Sequence, residues 1–258
     1  EVQVLFGFDD SLQPLLRAPK SQVTVRQLLT HTSGFAYDFT DEKIAAYVRS
    51  IDAPAPGSRA MYEHPLVFYP GEGWTYGIGI DWLGQVVEAA SGQRLDEYFR
   101  VHLFEPLGMA DTAFARSPAQ LERQAVVHVR TADGLVPIPF ALPDDAEMLM
   151  AGGGLYSTAV DYLRFARMIL EGGTLDGARL LAPETVAEMR ADHLGPLNAT
   201  GWTSWNPTMS NDVALFPGDR AGWGLTFLVN AQRTAEGRSP GSVAWAGAPP
   251  RPGRDIGF

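Results

Sequence analysis

The chain has 258 residues, 45% of them hydrophobic, no cysteine and a formal net charge of −10. A core of this size can be buried without disulfides, and thiolate metal sites and a cysteine nucleophile are excluded. The acidic balance opposes nucleic-acid backbones and anionic membranes, so neither is expected as a partner, and no apolar run reaches membrane-spanning length.

Residues 1–23 read as a short strand, a turn at Asp9-Asp10 and a loop ending in Ala18-Pro19-Lys20-Ser21. Thr24 can cap a helix from Val25 to Thr30 with Val25, Leu28 and Leu29 on its apolar face. His31-Thr32-Ser33-Gly34 closes it, and His31 reads as a structural residue favourable to the C-terminal helix dipole. A second helix is predicted over 40–50, with acidic residues early and Arg49 late. Residues 52–75 form a Pro/Gly-rich loop. Helices follow over 80–91, ended by Gly92, and over 94–104, ended before Pro106. In the first of these Ile80, Leu83, Val86, Val87 and Ala90 make the apolar stripe.

Residues 110–150 are irregular, with strand signals at 126–129 and 135–138. Gly152-Gly153-Gly154 reads as a flexible hinge. Thr158 caps a helix through Leu170, with Val160, Leu163, Ala166, Ile169 and Leu170 inward. A helix from Pro183 to Arg190, a long loop over 193–220, and strands at 223–229 and 242–246 complete the pattern. Helices in the middle and strands toward both ends predict an α/β chain of α+β type. A sheet built from both ends of the chain with a helical insertion is expected. One domain spans 1–258: residues 1–30 and 154–248 form a sheet-containing lobe, residues 31–153 a mainly helical lobe, and 249–258 an aberrant tail.

The stretch from Pro70 to Gly84 is the first candidate for chemistry. A turn rich in Gly and Pro leads into an apolar helix, with Tyr76 at the junction. Gly237-Arg238-Ser239-Pro240-Gly241 fits G-x-S-x-G but lies before a strand, with no histidine after it, so it reads as a hairpin turn. His31, His64, His102, His128 and His193 show no metal-type spacing, and no metal or cofactor is expected.

Several motifs occur together in a fixed order. Leu28-Leu29-Thr30-His31-Thr32-Ser33-Gly34-Phe35 resembles the L-L-T-H-T-S-G signature of the serine β-lactamase-like hydrolases, which include class C β-lactamases, D,D-peptidases and family VIII carboxylesterases. Pro70-Gly71 with Trp74-Thr75-Tyr76 resembles the segment carrying that family's tyrosine. Glu105 to Met109 with Asp111-Thr112 resembles P-L-G-M-x-D-T, and Gly152 to Thr158 with Asp161 resembles G-G-G-L-x-S-T-x-x-D. Trp245-Ala246-Gly247 resembles the W-x-G that family VIII esterases carry in place of K-T-G.

The resemblance implies a β-lactamase/transpeptidase-like fold, an antiparallel sheet flanked by helices with a mainly helical second lobe, and an acyl-enzyme mechanism with Tyr76 as general base. It also places Trp245, Ala246 and Gly247 beside the substrate and the backbone N–H of Ala248 in the oxyanion hole. A phenol ionises near pH 10 unless a cation stands beside it, and the family supplies one with the Lys of S-x-x-K. No S-x-x-K occurs here: Arg17 stands three residues before Lys20, and Thr40 before Lys43. The nucleophile therefore has no counterpart, and the chain reads as the middle of a longer one, incomplete at both ends of the fold. A bare sheet edge and uncovered apolar positions are expected. Ile78 replaces the amide of the β-lactamase Y-x-N, and Trp245 replaces the K-T-G lysine. Both changes favour a small neutral ester over an anionic β-lactam-like substrate. A β-lactamase or D,D-carboxypeptidase, and an inactive binding protein with the same fold, are the competing expectations.

Overall fold

Alternating apolar residues fold the start of the chain into a hairpin, β1 (Val4–Phe8) against β2 (Pro14–Arg17). The computed structural model describes residues 2–131, 134–207, 209–234 and 237–245. The second strand was expected as loop. Asp9 makes it possible: its carboxylate accepts the Ser11 and Gln13 backbone N–H groups at 2.8 and 2.9 Å and closes the turn. Pro14 enters at the first strand position, where a missing donor is tolerated.

Helix α1 (Val25–Leu29) is only five residues long and depends on its cap. Thr24 Oγ1 accepts the Gln27 N–H while Gln27 Oε1 accepts the Thr24 N–H, a reciprocal capping box. Helix α2 (Glu42–Ser50) starts at Asp41, whose carboxylate accepts from Lys43 and Ile44. A single 3₁₀ turn (Arg59–Tyr62) interrupts the following loop. Helix α3 (Gly79–Ser91) ends at Gly92, held at φ +70°.

Helix α4 (Leu95–Phe99) runs on through a π turn (Arg100–Phe104) into the short α5 (Glu105–Leu107). The expected stop before Pro106 is not observed. Within the π turn the backbone bonds span five residues, so the carbonyl a proline ring would strike is displaced. Helix α6 (Pro118–Leu121) precedes a hairpin of β3 (Val127–Thr131) and β4 (Gly134–Ile138). Helix α7 (Ala159–Leu170) is capped by Thr158 and followed by the two-residue strands β5 (Thr174–Leu175) and β6 (Ala178–Arg179). Helix α8 (Pro183–Arg190), a bridge of β7 (Gly201–Trp202) with β8 (Val213–Ala214), and the strands β9 (Ala221–Trp223), β10 (Leu228–Asn230) and β11 (Val243–Ala244) complete the described chain.

The strand ladders are antiparallel, and β9, β10 and β11 form a three-stranded sheet in the order β11-β10-β9. A single sheet uniting both ends of the chain is not observed among the described residues. The free edge of β1 is already taken: Leu5 N donates to the Leu66 carbonyl at 2.7 Å and Leu66 N to that of Gln3 at 2.8 Å. Around this contact Val4, Leu28, Phe35, Tyr62, Leu66, Ile78 and Met148 form one core. Each fully buried aliphatic side chain there contributes about 2 kcal/mol. No helix of the described residues is long and apolar enough to cross a membrane.

The face of α7 differs from the periodicity reading. Val160, Leu163 and Leu170 are 71%, 58% and 72% exposed, whereas Asp161, Met168 and Ile169 are buried. Asp161 turns inward because its carboxylate accepts the Asp111 N–H at 2.8 Å and the Thr112 hydroxyl at 2.9 Å. The apolar residues at 160, 163 and 170 then share the outer side. The chain is expected to bind a hydrophobic dye through this stripe. Val160→Glu combined with Leu163→Glu is expected to cut dye fluorescence by at least about half, as a surface patch of this kind predicts. Unchanged fluorescence would place the dye elsewhere.

Candidate active site

The approach to Tyr76 is fixed by the turn after α1. His31 sits at φ +56° and is 3% exposed. Its backbone carbonyl accepts the Thr75 N–H at 3.0 Å, and its ring Nδ1 accepts the Gly77 N–H at 3.3 Å. One histidine thus grips the chain on both sides of Tyr76. A third bond holds the Tyr76 carbonyl, which accepts the Thr40 hydroxyl at 2.8 Å. Gly77 is obligatory there, because a Cβ would overlap the Phe35 carbonyl oxygen.

His31 acts as a neutral ring, not as the cation that a dipole interaction requires. Burial pushes its pKa down to about 3. The expected dipole role is therefore corrected: the imidazole works as an acceptor and a packing surface.

Around Tyr76 the side chains are aromatic. Its ring lies 4.8 Å from His31, 5.3 Å from Tyr37, 5.4 Å from Trp202 in a stacked arrangement, and 4.8 Å from Trp245. Trp223 completes the wall at 4.6 Å from Trp245 and 5.3 Å from Trp74. Tyr76, Trp202 and Trp245 are all half-buried, so this cluster reaches the surface. Trp245 Nε1 donates to the Tyr76 phenolic oxygen at 3.4 Å. Burial raises the phenol above its ordinary value, against the opposing effect of that hydrogen bond, and Asp81 raises it further. Both lysines are committed elsewhere: Lys20 pairs with Glu72, and Lys43 donates to the Leu5 and Val67 carbonyls. The indole N–H groups of Trp74 and Trp223 are buried without a hydrogen-bond partner among the described residues.

Sequence periodicity does not single out Asp81 and its partner Tyr37, which stand beside this cluster. Asp81 is fully buried on α3. Its Oδ2 accepts the Tyr37 hydroxyl at 3.0 Å and its Oδ1 the Gly152 N–H at 2.9 Å. Burial nevertheless raises its pKa to about 6. An acid in the first turn of a helix ordinarily reads as a dipole partner, which hid this role. The apolar stripe predicted for α3 shifts accordingly: Asp81 and Gly84 are buried, while Val86 is 38% exposed.

The glycines at 152–154 are not a hinge. Gly152 is bonded to Asp81, and a Cβ at Gly154 would lie 2.6 Å from the Met150 carbonyl oxygen. Close backbone approach is what selects glycine here. Gly237 to Gly241 forms the expected turn between β10 and β11, with Gly241 N donating to the Asn230 carbonyl at 2.8 Å. Ile78, at the start of α3, is 2% exposed and packs in the core beside Leu28 and Phe35. Ala246, Gly247 and Ala248 lie outside the described residues.

Comparison with known proteins agrees with the motif order. The Beta-lactamase family model matches residues 5–255. A lovastatin esterase of Penicillium rubens is 31% identical over 260 residues, which are 95% of this chain and 63% of that protein. A monacolin J acid methylbutanoyltransferase of Aspergillus terreus is 33% identical over 201 residues, 75% of this chain and 48% of the relative. Among solved structures, the LovD9 mutant of simvastatin synthase from Aspergillus terreus superposes with a TM-score of 0.76 at 29% identity, covering 95% of this chain and 63% of that one. The chain therefore spans less than two thirds of the length of these relatives. The mixture of helices and antiparallel strands is the β-lactamase/transpeptidase-like fold.

The His31 grip makes Gly77 a sensitive position. Gly77→Ala is expected to lower stability by about 3 kcal/mol, the upper range for forcing a methyl group into a filled site. Thermal melting of the two chains measures it, and a melting temperature within the error of the parent would show that the turn relaxes freely.

Proposed function

The chain belongs to the Beta-lactamase family, and from that premise we propose that it serves a serine carboxylesterase that cleaves small neutral esters through an acyl-enzyme. The observation that carries this reading is the surface around Tyr76: neutral aromatic rings, with an indole where the β-lactamases hold a lysine. Such a wall favours an uncharged acyl group and offers no partner for a substrate carboxylate. The esterase and acyltransferase names of the relatives point to the same bond type.

In this reading a serine hydroxyl adds to the ester carbonyl and its proton passes to the Tyr76 oxygen. The tetrahedral oxyanion is held by backbone N–H groups, with Ala248 supplying one. Collapse expels the alcohol, which takes the proton back, and water then cleaves the acyl-enzyme. Trp245 donates to the Tyr76 oxygen and so favours its charged form, but burial outweighs that donor. A cation beside the phenol is therefore required, and the S-x-x-K lysine is the proposed source. Ser33 is a poor nucleophile candidate: it is 1% exposed, and its oxygen accepts the Phe35 N–H at 3.3 Å. A second reading follows from the methylbutanoyltransferase relative: the acyl-enzyme is resolved by an alcohol in place of water.

The test joins this chain to a segment that carries S-x-x-K and follows a short-chain chromogenic ester. The chain alone is expected to be inactive and the joined protein active. Tyr76→Phe in the joined protein is expected to lower kcat/KM by at least about a hundredfold, the usual size of a general-base contribution. Its stability is expected to change by about 1 kcal/mol or less. Turnover by the chain alone that a serine-directed phosphonate abolishes would contradict the reading. So would retained turnover in a folded Phe variant, or a preference for β-lactams over esters.

A further inference from the structure

We infer that Asp81 and Tyr37 form a positioning pair that sets where the Tyr76 ring stands, a role that rests on the proposed use of Tyr76 as general base. The pair closes a ring of contacts. Tyr76 and Asp81 lie five positions apart on one continuous segment entering α3. The Asp81 carboxylate accepts the Tyr37 hydroxyl at 3.0 Å. Tyr37 N donates to Thr40 Oγ1 at 3.0 Å, and that hydroxyl reaches the Tyr76 carbonyl at 2.8 Å. The Tyr37 ring packs against Tyr76 at 5.3 Å and stacks on Phe39 at 5.0 Å. Moving Tyr37 therefore moves Tyr76 through both its ring and its backbone.

The choice of aspartate is costly and specific. A buried carboxylate without a cation is disfavoured, so both oxygens must be bonded. They are, by Tyr37 and by the Gly152 N–H. The third side is closed, because a Cβ at Gly152 would stand 3.0 Å from Oδ2 and 3.1 Å from the Tyr37 hydroxyl. One carboxylate thus ties three separate segments together: the 37–40 turn, α3 and the glycine turn after Met150. The titratable groups that its charge acts on are Tyr37 from that turn, Tyr62 from the 3₁₀ turn and Tyr76, each of which it raises, while Tyr37 in turn lowers it through the hydrogen bond. An apolar residue of similar size would fill the space but could not accept either donor. Asparagine removes the charge but keeps the contacts: with its oxygen toward the Gly152 N–H, its NH₂ donates to the Tyr37 hydroxyl and the direction of that bond is reversed.

The test uses the 258-residue chain with ¹³Cζ-labelled tyrosine, the Tyr76 resonance being assigned by its loss in Tyr76→Phe. Asp81→Asn is expected to move the Tyr76 ionisation to lower pH, because a buried negative charge that opposes the phenolate is removed. Asp81→Leu, which accepts from neither donor, is expected to quicken exchange of the Gly152 amide by at least about tenfold, the loss of roughly one hydrogen bond. Tyr37→Phe, which keeps the ring, is expected to shift the Tyr76 resonance at neutral pH. The double variant is expected to move that neutral-pH resonance no further than the larger single change, as for residues acting as one unit. A lower melting temperature with the Tyr76 titration unchanged in Asp81→Asn would reduce Asp81 to a structural residue and overturn the inference. If Asp81→Asn does not fold, an unshifted Tyr76 resonance in Tyr37→Phe overturns it alone. These readouts need no turnover, so a failure of the general-base reading in the ester assay is separable from a failure here.

Discussion

The grip of His31 on residues 75 and 77 is the constraint on which the candidate site depends. The turn after α1 places a non-glycine residue at φ +56°, a conformation that costs energy and persists only where surrounding contacts compensate. Here the compensation is a carbonyl bonded to Thr75, a ring nitrogen bonded to Gly77, and aromatic rings against the imidazole at 4.8 to 6.3 Å. The L-L-T-H-T-S-G motif is then a piece of backbone engineering. Thr24 and Gln27 start the helix, Leu28 anchors it in the core, His31 holds the tyrosine segment, and Gly34, at φ +93°, passes against the Phe68 carbonyl.

Two buried ionisable groups flank Tyr76, and their environments push them opposite ways. His31 is held neutral by burial, while Asp81 is raised to about 6. In the folded state His31 resists protonation, so its contribution to stability is complete above the ordinary histidine range and is lost as pH falls toward about 3. Asp81 has the reverse sign: burial of its charge weakens the fold above about 6, and that cost is relieved as pH falls toward the ordinary carboxylate range. Around neutral pH the site therefore holds a neutral imidazole, a buried carboxylate with both oxygens bonded, and a phenol that keeps its proton. Among the described residues nothing in this arrangement supplies positive charge, which is why the proposed base needs a lysine.

Elements set by local chemistry were legible in the sequence. The caps at Thr24 and Thr158, the helix end at Gly92 and the turn at Gly237 to Gly241 follow from residues next to one another in the chain. What escaped were roles assigned by distant partners. Asp161 turns α7 because Asp111 and Thr112 offer donors 50 and 49 residues away. Asp81 reaches Tyr37 and Gly152 across 44 and 71 residues. No periodicity encodes such bonds, and an inward-facing aspartate breaks the stripe that periodicity looks for. The turn at Asp9-Asp10 is legible, but the strand β2 that follows it reads as loop in the sequence. Motif order placed Tyr76 and Trp245 in one family pattern, but only the folded chain brings residues 169 positions apart to 3.4 Å.

The most direct measurement is the protonation state of His31, read from the ¹⁵N shifts of its ring in the folded chain at about pH 5, well below the ordinary histidine value. The expected result is a neutral ring with its proton on Nε2 and Nδ1 coupled through the hydrogen bond to the Gly77 amide. An imidazolium at that pH, or a protonated Nδ1, would mean that the ring does not accept from Gly77 and that the segment carrying Tyr76 is held by something else.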